Sequence, residues 1–583
     1  MFTNQILASK FKEMKYSSAM YDSLAYIIIM GAFILLTVGL ENISVKIEVV
    51  EQTAISLEPT NLPYYALMSV MRLLIAVVVS IIFTLIVATL AAKSKKAESI
   101  IIPSLDILQS IPILGYISFT VTGFMALFPG SALGLEMAAI FVIFTSQVWN
   151  MTFSFYQSLK TIPQDLQDAA EVMHLSAWKK FWTLEVPFAM PGLIWNTMMS
   201  MSGSWFFIVA SEAVSVGATK YTLPGIGSYI AMAIEQKELY CVGYAILAMF
   251  IVILLYDQMI FRPMVNWADK FRCELTASEI KSTSLIERLF QRASYLHKLI
   301  AYIVAIVSKI DDALTIKTRR NKSFFKVSEK QKVLIEWVDN IIWFLVIVLI
   351  WAFIVKEIVH FFYHKIAFSE VVEVTYLGFI TLIRIMAMIA ISFVVWVPIG
   401  VYIGLRPMLA ERVQPVIQFL AAFPANLFFP IAVILILHFK ADPNIWLSPL
   451  MILGTQWYIL FNVIAGASAI PNDLNEASTI FKIKGFLWWR KVALPGIYPY
   501  LITGLLTATG AAWNASIVAE AVSWGSTNLF ATGIGSYITQ KTTAGDFSHI
   551  ALGIFVMCAY VVVFNKLLWR PLYYKAVKMN HLD

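Results

Sequence analysis

The chain is poor in charge and nearly devoid of cysteine. Its 583 residues include 43 basic and 36 acidic side chains, 14% in all, where a soluble chain carries about a quarter. With 59% of the residues hydrophobic, too little polar surface remains to cover a water-facing body of this size. Three scattered cysteines, Cys241, Cys273 and Cys558, exclude a disulfide scaffold and diagnose no redox compartment. Only 26 Gly and 21 Pro exclude collagen-like and low-complexity chains. The seven His and the paired acids show no spacing suited to metal binding or acid–base catalysis. The net charge of +7 would suit nucleic acid, but membrane proteins gather Lys and Arg in cytoplasmic loops, so no nucleic-acid partner is expected. A mean hydropathy of +0.76 points to an all-α polytopic membrane protein.

Windows long enough to cross ~30 Å of hydrocarbon fall near 24–40, 65–92, 100–127, 133–157, 190–215, 238–260, 338–359, 373–404, 414–438, 446–468, 497–522 and 547–568, predicting about twelve transmembrane helices. The first has a long polar leader and no small-x-small cleavage site after Leu40, so it reads as a retained anchor. Lys10, Lys12 and Lys15 precede it, whereas the loop 41–62 carries four Glu and one Lys. Lys93-Ser-Lys95-Lys96 and the fifteen Lys and Arg between Arg262 and Ile335 then fall on the leader's side, which predicts cytoplasmic termini.

The chain repeats itself. Glu212–Ile230 and Glu520–Ile538 match at 12 of 19 positions without a gap. The same spacing of 308 pairs Trp149 with Trp457, Pro163 with Pro471 and Trp205 with Trp513; upstream it becomes 312, pairing Arg72 with Arg384, Pro103 with Pro415 and Pro112 with Pro424. A four-residue length difference in one loop accounts for the step. Six spans separate equivalent positions, an even number, so the copies are parallel rather than inverted. The expected organisation is a cytoplasmic segment 1–23, a first half 24–263, a cytoplasmic linker 264–335 and a second half 336–583. Leu285, Leu289, Leu299, Ile300, Ile303 and Ile306 among charges predict an amphipathic interfacial helix in the linker, a tether or a docking element in contact with membrane lipid.

Each half carries a polar loop of one pattern. The first reads Ile162-Pro163, Asp168-Ala169-Ala170, His174, Phe181-Trp182 and Val186-Pro187; the second reads Ile470-Pro471, Glu476-Ala477-Ser478, Lys482, Trp488-Trp489 and Leu494-Pro495. Ile-Pro sets a helix start; a short amphipathic helix, a turn and a second helix should follow. Both loops resemble the coupling loop of ATP-binding-cassette importer permeases: Glu-Ala-Ala, three residues, Gly, nine residues, Ile-x-Leu-Pro. His174 and Lys482 stand where that pattern has Gly. Since Gly permits φ > 0, their presence predicts that both loops turn differently. Ile111-Pro112, Phe423-Pro424, and Glu followed by Gly-x-Gly at Glu212/Gly225/Gly227 and Glu520/Gly533/Gly535 narrow the resemblance to nitrate/sulfonate/taurine-type permeases, over about 62–265 and 370–575.

The resemblance implies a type I importer permease fold, two halves fused in one chain, two ATP-binding-cassette ATPase partners and a periplasmic or lipid-anchored substrate-binding protein at a prokaryotic inner or plasma membrane. No Gly-x-x-x-x-Gly-Lys-Ser/Thr occurs in the chain, so ATP and Mg belong to the partner and no cofactor is expected here. Phe181, Trp182, Trp488 and Trp489 would anchor the ATPase. An ion-coupled secondary transporter or a channel is the alternative.

Ionisable and polar groups inside spans nominate a pathway: Arg72, Arg384, Glu212, Glu520, Ser202, Trp205, Trp513 and Asn514. The arginines either snorkel or form an anion-attracting ring. The glutamates either pair with them or cap a loop, and the small polar residues pack helices or line a pore. Trp205 and Trp513 are expected to face each other across the axis.

Overall fold

The computed structural model describes residues 55–216, 219–268, 366–470 and 472–572, with isolated positions between 345 and 365 and at 575. The expected spans near 24–40 and 338–359, the segment 1–23 and the amphipathic linker lie outside the described residues or almost entirely so.

The first half runs through α1 (Leu62–Lys93), α2 (Lys95–Ser110), α3 (Ile117–Leu127), α4 (Leu133–Lys160), α5 (Gln164–Val172) and α6 (Val186–Glu212). A hairpin of β1 (Ala213–Val216) and β2 (Thr219–Thr222) follows, then α7 (Ile226–Glu235) and α8 (Leu239–Tyr256). The second half repeats the order: α9 (Phe368–Gly404), α10 (Pro407–Ala422), α11 (Phe429–Phe439), two short helical turns (Pro443–Trp446 and Ser448–Leu453), then α12 (Gln456–Ser468), α13 (Asn472–Ile480) and α14 (Leu494–Ala519). The hairpin of β3 (Ala521–Trp524) and β4 (Thr527–Phe530), α15 (Ile534–Ala544) and α16 (Phe547–Phe564) complete it. The starts of α2 and α10 and of α3 and α11 lie 312 residues apart, and those of α5 and α13 onward lie 308 apart. The length difference therefore falls after α3 and α11.

Among the described residues, six helices are long and apolar enough to cross a membrane, and nine if three bent pairs each count as one. At 27 residues, α6 is also long enough, at ~40 Å. The windows containing α4 and α14 have hydropathy 1.3 and are 61% buried, whereas those of α1, α9 and α16 have 2.2–3.0 and are 28–33% buried. Helices wrapped by protein need less hydrophobicity than helices that can face lipid.

Three expected spans depart from single straight helices. The window 100–127 is α2 and α3 bent by 85°, and 414–438 is α10 and α11 bent by 72°. At each break the residue before proline is extended, Ile111 at φ −78°, ψ 124° and Phe423 at φ −71°, ψ 126°. Proline disfavours the helical region for its predecessor. The window 446–468 bends by 44°; the second half has Pro443, Pro449 and Gly454 there, where the straight α4 has Leu135, Phe141 and Ser146.

The halves share a core. Met198, Trp205 and Ile208 of α6 and Met249 of α8 cluster with Ala422, Phe423 and Leu427 of the second half. Phe250 and Phe419 meet edge-on at 4.8 Å, and Trp195 lies against Phe461 at 5.7 Å.

Candidate functional site: bonded clusters, an interface cavity and two polar loops

Arg72, Glu212, Arg384 and Glu520 form ion pairs inside their own halves. Arg72 binds Glu136 through two bonds of 2.6 Å and Glu212 through one of 2.8 Å, and donates to the Pro224 carbonyl. Glu212 also accepts from Ser69 Oγ at 2.6 Å and the Gly227 amide at 2.7 Å. In the second half Arg384 meets Glu520 at 2.6 Å, which accepts from Thr381 Oγ1 at 2.8 Å and the Gly535 amide at 2.7 Å. Both glutamates are fully buried. A buried carboxylate is tolerable only when cations and donors saturate it. These clusters tie α1 to the start of α7 and α9 to the start of α15, fixing each hairpin.

Gly-x-Gly serves this packing. A Cβ on Gly225 would overlap the Glu212 carboxylate, and one on Gly533 that of Glu520. The backbone there is extended, so lack of bulk, not left-handed freedom, is what these positions require. Glu136 escaped the sequence reading, although an acid in the first turn of an apolar helix was a visible signal. Its second-half counterpart is Asn444, which accepts from the Thr532 amide at 2.8 Å.

A cavity-lining residue adjoins each tryptophan, Phe206 next to Trp205 and Asn514 next to Trp513. A cavity of about 60 Å³ between the halves is lined by Ser202, Phe206, Phe207, Phe423, Tyr458 and Asn514, among others. The Ile113 amide donates to Asn514 Oδ1 at 2.6 Å, and Asn426 Nδ2 to the Phe206 carbonyl at 3.4 Å. Each proline-broken turn is thus bonded to the long inner helix of the other half. Contrary to expectation, Trp205 and Trp513 do not line this cavity. Trp205 packs edge-on to Tyr256 at 5.8 Å, and Trp513 stacks on Tyr560 at 6.2 Å, each within its own half. Ser202 and Asn514 are the pathway candidates that reach the cavity.

The polar loops contain the predicted helices, α5 and α13. Each ends in a left-handed residue that is not glycine: His174 at φ 50° and Lys482 at φ 53°. The Leu175 amide donates back to the Ala170 carbonyl at 3.1 Å, and Ile483 to Ser478 at 2.8 Å, while His174 and Lys482 donate to Glu171 and Thr479. This six-to-one closure is a Schellman end. The expectation of differently shaped turns is therefore corrected: both loops keep the turn Gly would make, held by bonds to Ala170 and Ser478, both buried. Asp168, Ala169 and Glu476 are exposed, and Ala477 is half-buried.

Each loop then passes through a five-residue π-helical turn, Phe181–Glu185 and Trp489–Ala493, before Pro187 and Pro495 in the first turn of the next helix. Trp178, Phe181 and Trp182 pack on one another at 5.1–6.4 Å, and Trp488 meets Trp489 at 5.7 Å. Phe181 is buried, and Trp488 and Trp489 are half-buried. Sequence reasoning missed the residues that stand out: Val172 and Met173 in the first loop, Ile480, Phe481 and Phe486 in the second, all well exposed.

Residues 80–260 and 396–568, together more than half of the chain, match the family described as the binding-protein-dependent transport system inner membrane component. The chain is 27% identical over 171 residues to the nitrate import permease protein NrtB of Leptolyngbya laminosa, covering 29% of this chain and 58% of that protein. It is 27% identical over 186 residues to the bicarbonate transport system permease protein CmpB of Synechococcus elongatus, covering 32% and 64%. A putative ABC transporter permease protein of Methanocaldococcus jannaschii is 25% identical over 141 residues, covering 24% and 51%. The chain thus spans about half to two thirds of the length of these relatives. With the family match falling on both of its repeated halves, this multi-pass membrane protein belongs to the binding-protein-dependent transport system inner membrane components.

Proposed function

We propose that the chain is the translocation subunit of an ATP-driven importer, with both permease positions supplied by its two halves. The observation that carries this reading is the recurrence of the Schellman-closed loop helix at His174 and at Lys482, 308 residues apart. Two ATPase subunits would each receive one loop. A groove closing on α5 or α13 would pull α6 or α14 directly, because each π-helical turn leads into the inner helix with no free linker. Exposed Val172, Met173, Ile480 and Phe481 would supply the apolar contact, and Asp168 and Glu476 the charge.

In this reading the loops face the cytoplasm, both termini lie there, and a substrate-binding protein delivers solute on the opposite side, where the hairpins stand. ATP and Mg would be bound by the partner. Relatives named for nitrate and bicarbonate support a small oxyanion as solute. The inner helices α6 and α14 flank the closed cavity at Ser202 and Asn514, so their separation would open the path. Reconstitution with an ATPase and a binding protein in liposomes should give nitrate or bicarbonate accumulation that needs ATP. Accumulation driven by an ion gradient without the ATPase would replace this reading with a secondary transporter.

A further inference from the structure

A row of polar side chains along α4 and at its C-terminal cap has no part in the arrangement above. Asn150, Ser154 and Ser158 recur every four residues, and Gln157 and the cap residue Thr161 fall beside them, so they share one helix face. With Phe153 and with Asn196 of α6 they line an open groove of about 440 Å³. Asn196 Nδ2 donates to Ser154 Oγ at 3.0 Å and to the Gly192 carbonyl at 3.0 Å, fixing the amide at the wall. Further along the same face Ser146 Oγ meets Ser204 Oγ at 2.8 Å. Amides and hydroxyls in a membrane-spanning helix are sustained where they face one another or a water-filled space.

The second half does not repeat this wall. The equivalent positions, 308 residues on, are Tyr458, Asn462, Ala465, Gly466, Ala469 and Gly504. The one amide among them, Asn462, directs its Nδ2 to the Tyr458 carbonyl at 2.8 Å within its own helix. On this face the repeat has thus diverged from six hydrogen-bonding side chains to mostly small and apolar ones.

We infer that this wall is a solute station used by the first half only, and that its ligand is a small oxyanion. The inference rests on the importer reading above. No Asp, Glu, Lys or Arg lines the groove. Without a carboxylate nothing repels an anion; Asn196, Ser158 and Thr161 already donate within the protein, so the donors that meet an oxyanion are the Asn150 and Gln157 amides, and such bonds are strong because one partner is charged. Without a fixed cation the solute is not trapped, as a path must both bind and release. A cation would meet only neutral oxygens, with no charge to offset its desolvation. In the proposed orientation the station lies toward the cytoplasmic end of α4, beyond the closed cavity, so it is the last contact before release.

The test uses the full chain with Cys241, Cys273 and Cys558 replaced by Ala, in inverted membrane vesicles. Asn150→Cys and Ala465→Cys, the latter at the exposed position equivalent to Gln157, are each modified with a small anionic methanethiosulfonate, in sodium nitrate or in sodium chloride of equal ionic strength. Nitrate should slow modification at Asn150→Cys several-fold and leave Ala465→Cys unchanged. Equal slowing at both sites, none at Asn150→Cys, or no modification of Asn150→Cys at all would overturn the one-sided station. Asn150 is already exposed, so Cys there disturbs little packing, and Ser154→Cys provides a second probe on the same wall. No ATP or partner is needed, so failure here leaves the importer reading standing; loss of ATP-driven uptake with protection intact would do the reverse.

Discussion

His174 and Lys482, 308 residues apart, both hold the left-handed backbone, φ 50° and φ 53°, and each closes its helix with the same pair of amide bonds. For a residue with a Cβ that conformation costs roughly 1–2 kcal/mol over glycine. Two independent positions sustain the cost, so the shape of the turn, rather than the residue type, is what both loops preserve.

His174→Gly and Lys482→Gly should therefore relieve strain without altering the loop. Amide hydrogen exchange at Leu175 and Ile483 should slow about fivefold, corresponding to ~1 kcal/mol. Faster exchange in either variant would show that the side chains themselves hold the turn.

Breaking the buried ion clusters should cost unequally. Arg72→Met leaves two buried carboxylates, Glu136 and Glu212, without their cation, whereas Arg384→Met strands Glu520 alone. Removing one partner of a buried pair destabilises by about 3–5 kcal/mol, so both variants should lose thermal stability, Arg72→Met more. Pairing Arg384→Met with Glu520→Leu should recover much of the loss. Equal losses from the two arginine variants would contradict the charge count.

The paired glycines give a sharper comparison. Gly227→Ala would press its new methyl against the Val209 carbonyl and the Glu212 carboxylate, whereas Gly243→Ala meets nothing within 4 Å. The first should destabilise by about 1–3 kcal/mol. The second should be neutral or slightly stabilising in thermal unfolding, since Ala suits a helix better than Gly.

Docking should depend on the loop tips. Val172→Asp with Met173→Asp, and Ile480→Asp with Phe481→Asp, should each weaken ATPase binding by at least ~2 kcal/mol, about thirtyfold. Trp182→Ala should cost less, because that ring is shared with Phe181 and Trp178. A pull-down titration with the purified ATPase measures both; unaffected binding in the Asp variants would remove the tips from the interface.

Much of this architecture is legible in the chain itself. The repeat spacing locates α10, α11 and every element from α13 onward, and the cost of burying Arg72 and Glu212 together makes their pairing foreseeable. The bends are less legible: hydropathy windows average over direction and run straight through Ile111-Pro112 and Phe423-Pro424, although both are visible as pre-proline dipeptides. Trp205 and Trp513 share one repeat position, yet their ring partners Tyr256 and Tyr560 lie on the last long helix of each half, a contact no periodicity encodes. Residue preference alone points away from the turns at His174 and Lys482, which are held instead by the bonds that Ala170 and Ser478 accept.

The central claim, that one chain supplies both permease positions, is tested most directly by the native mass of the transporter complex purified with its ATPase. The account predicts one 65.6 kDa chain with two ATPase subunits; two copies of this chain with two ATPases would contradict it.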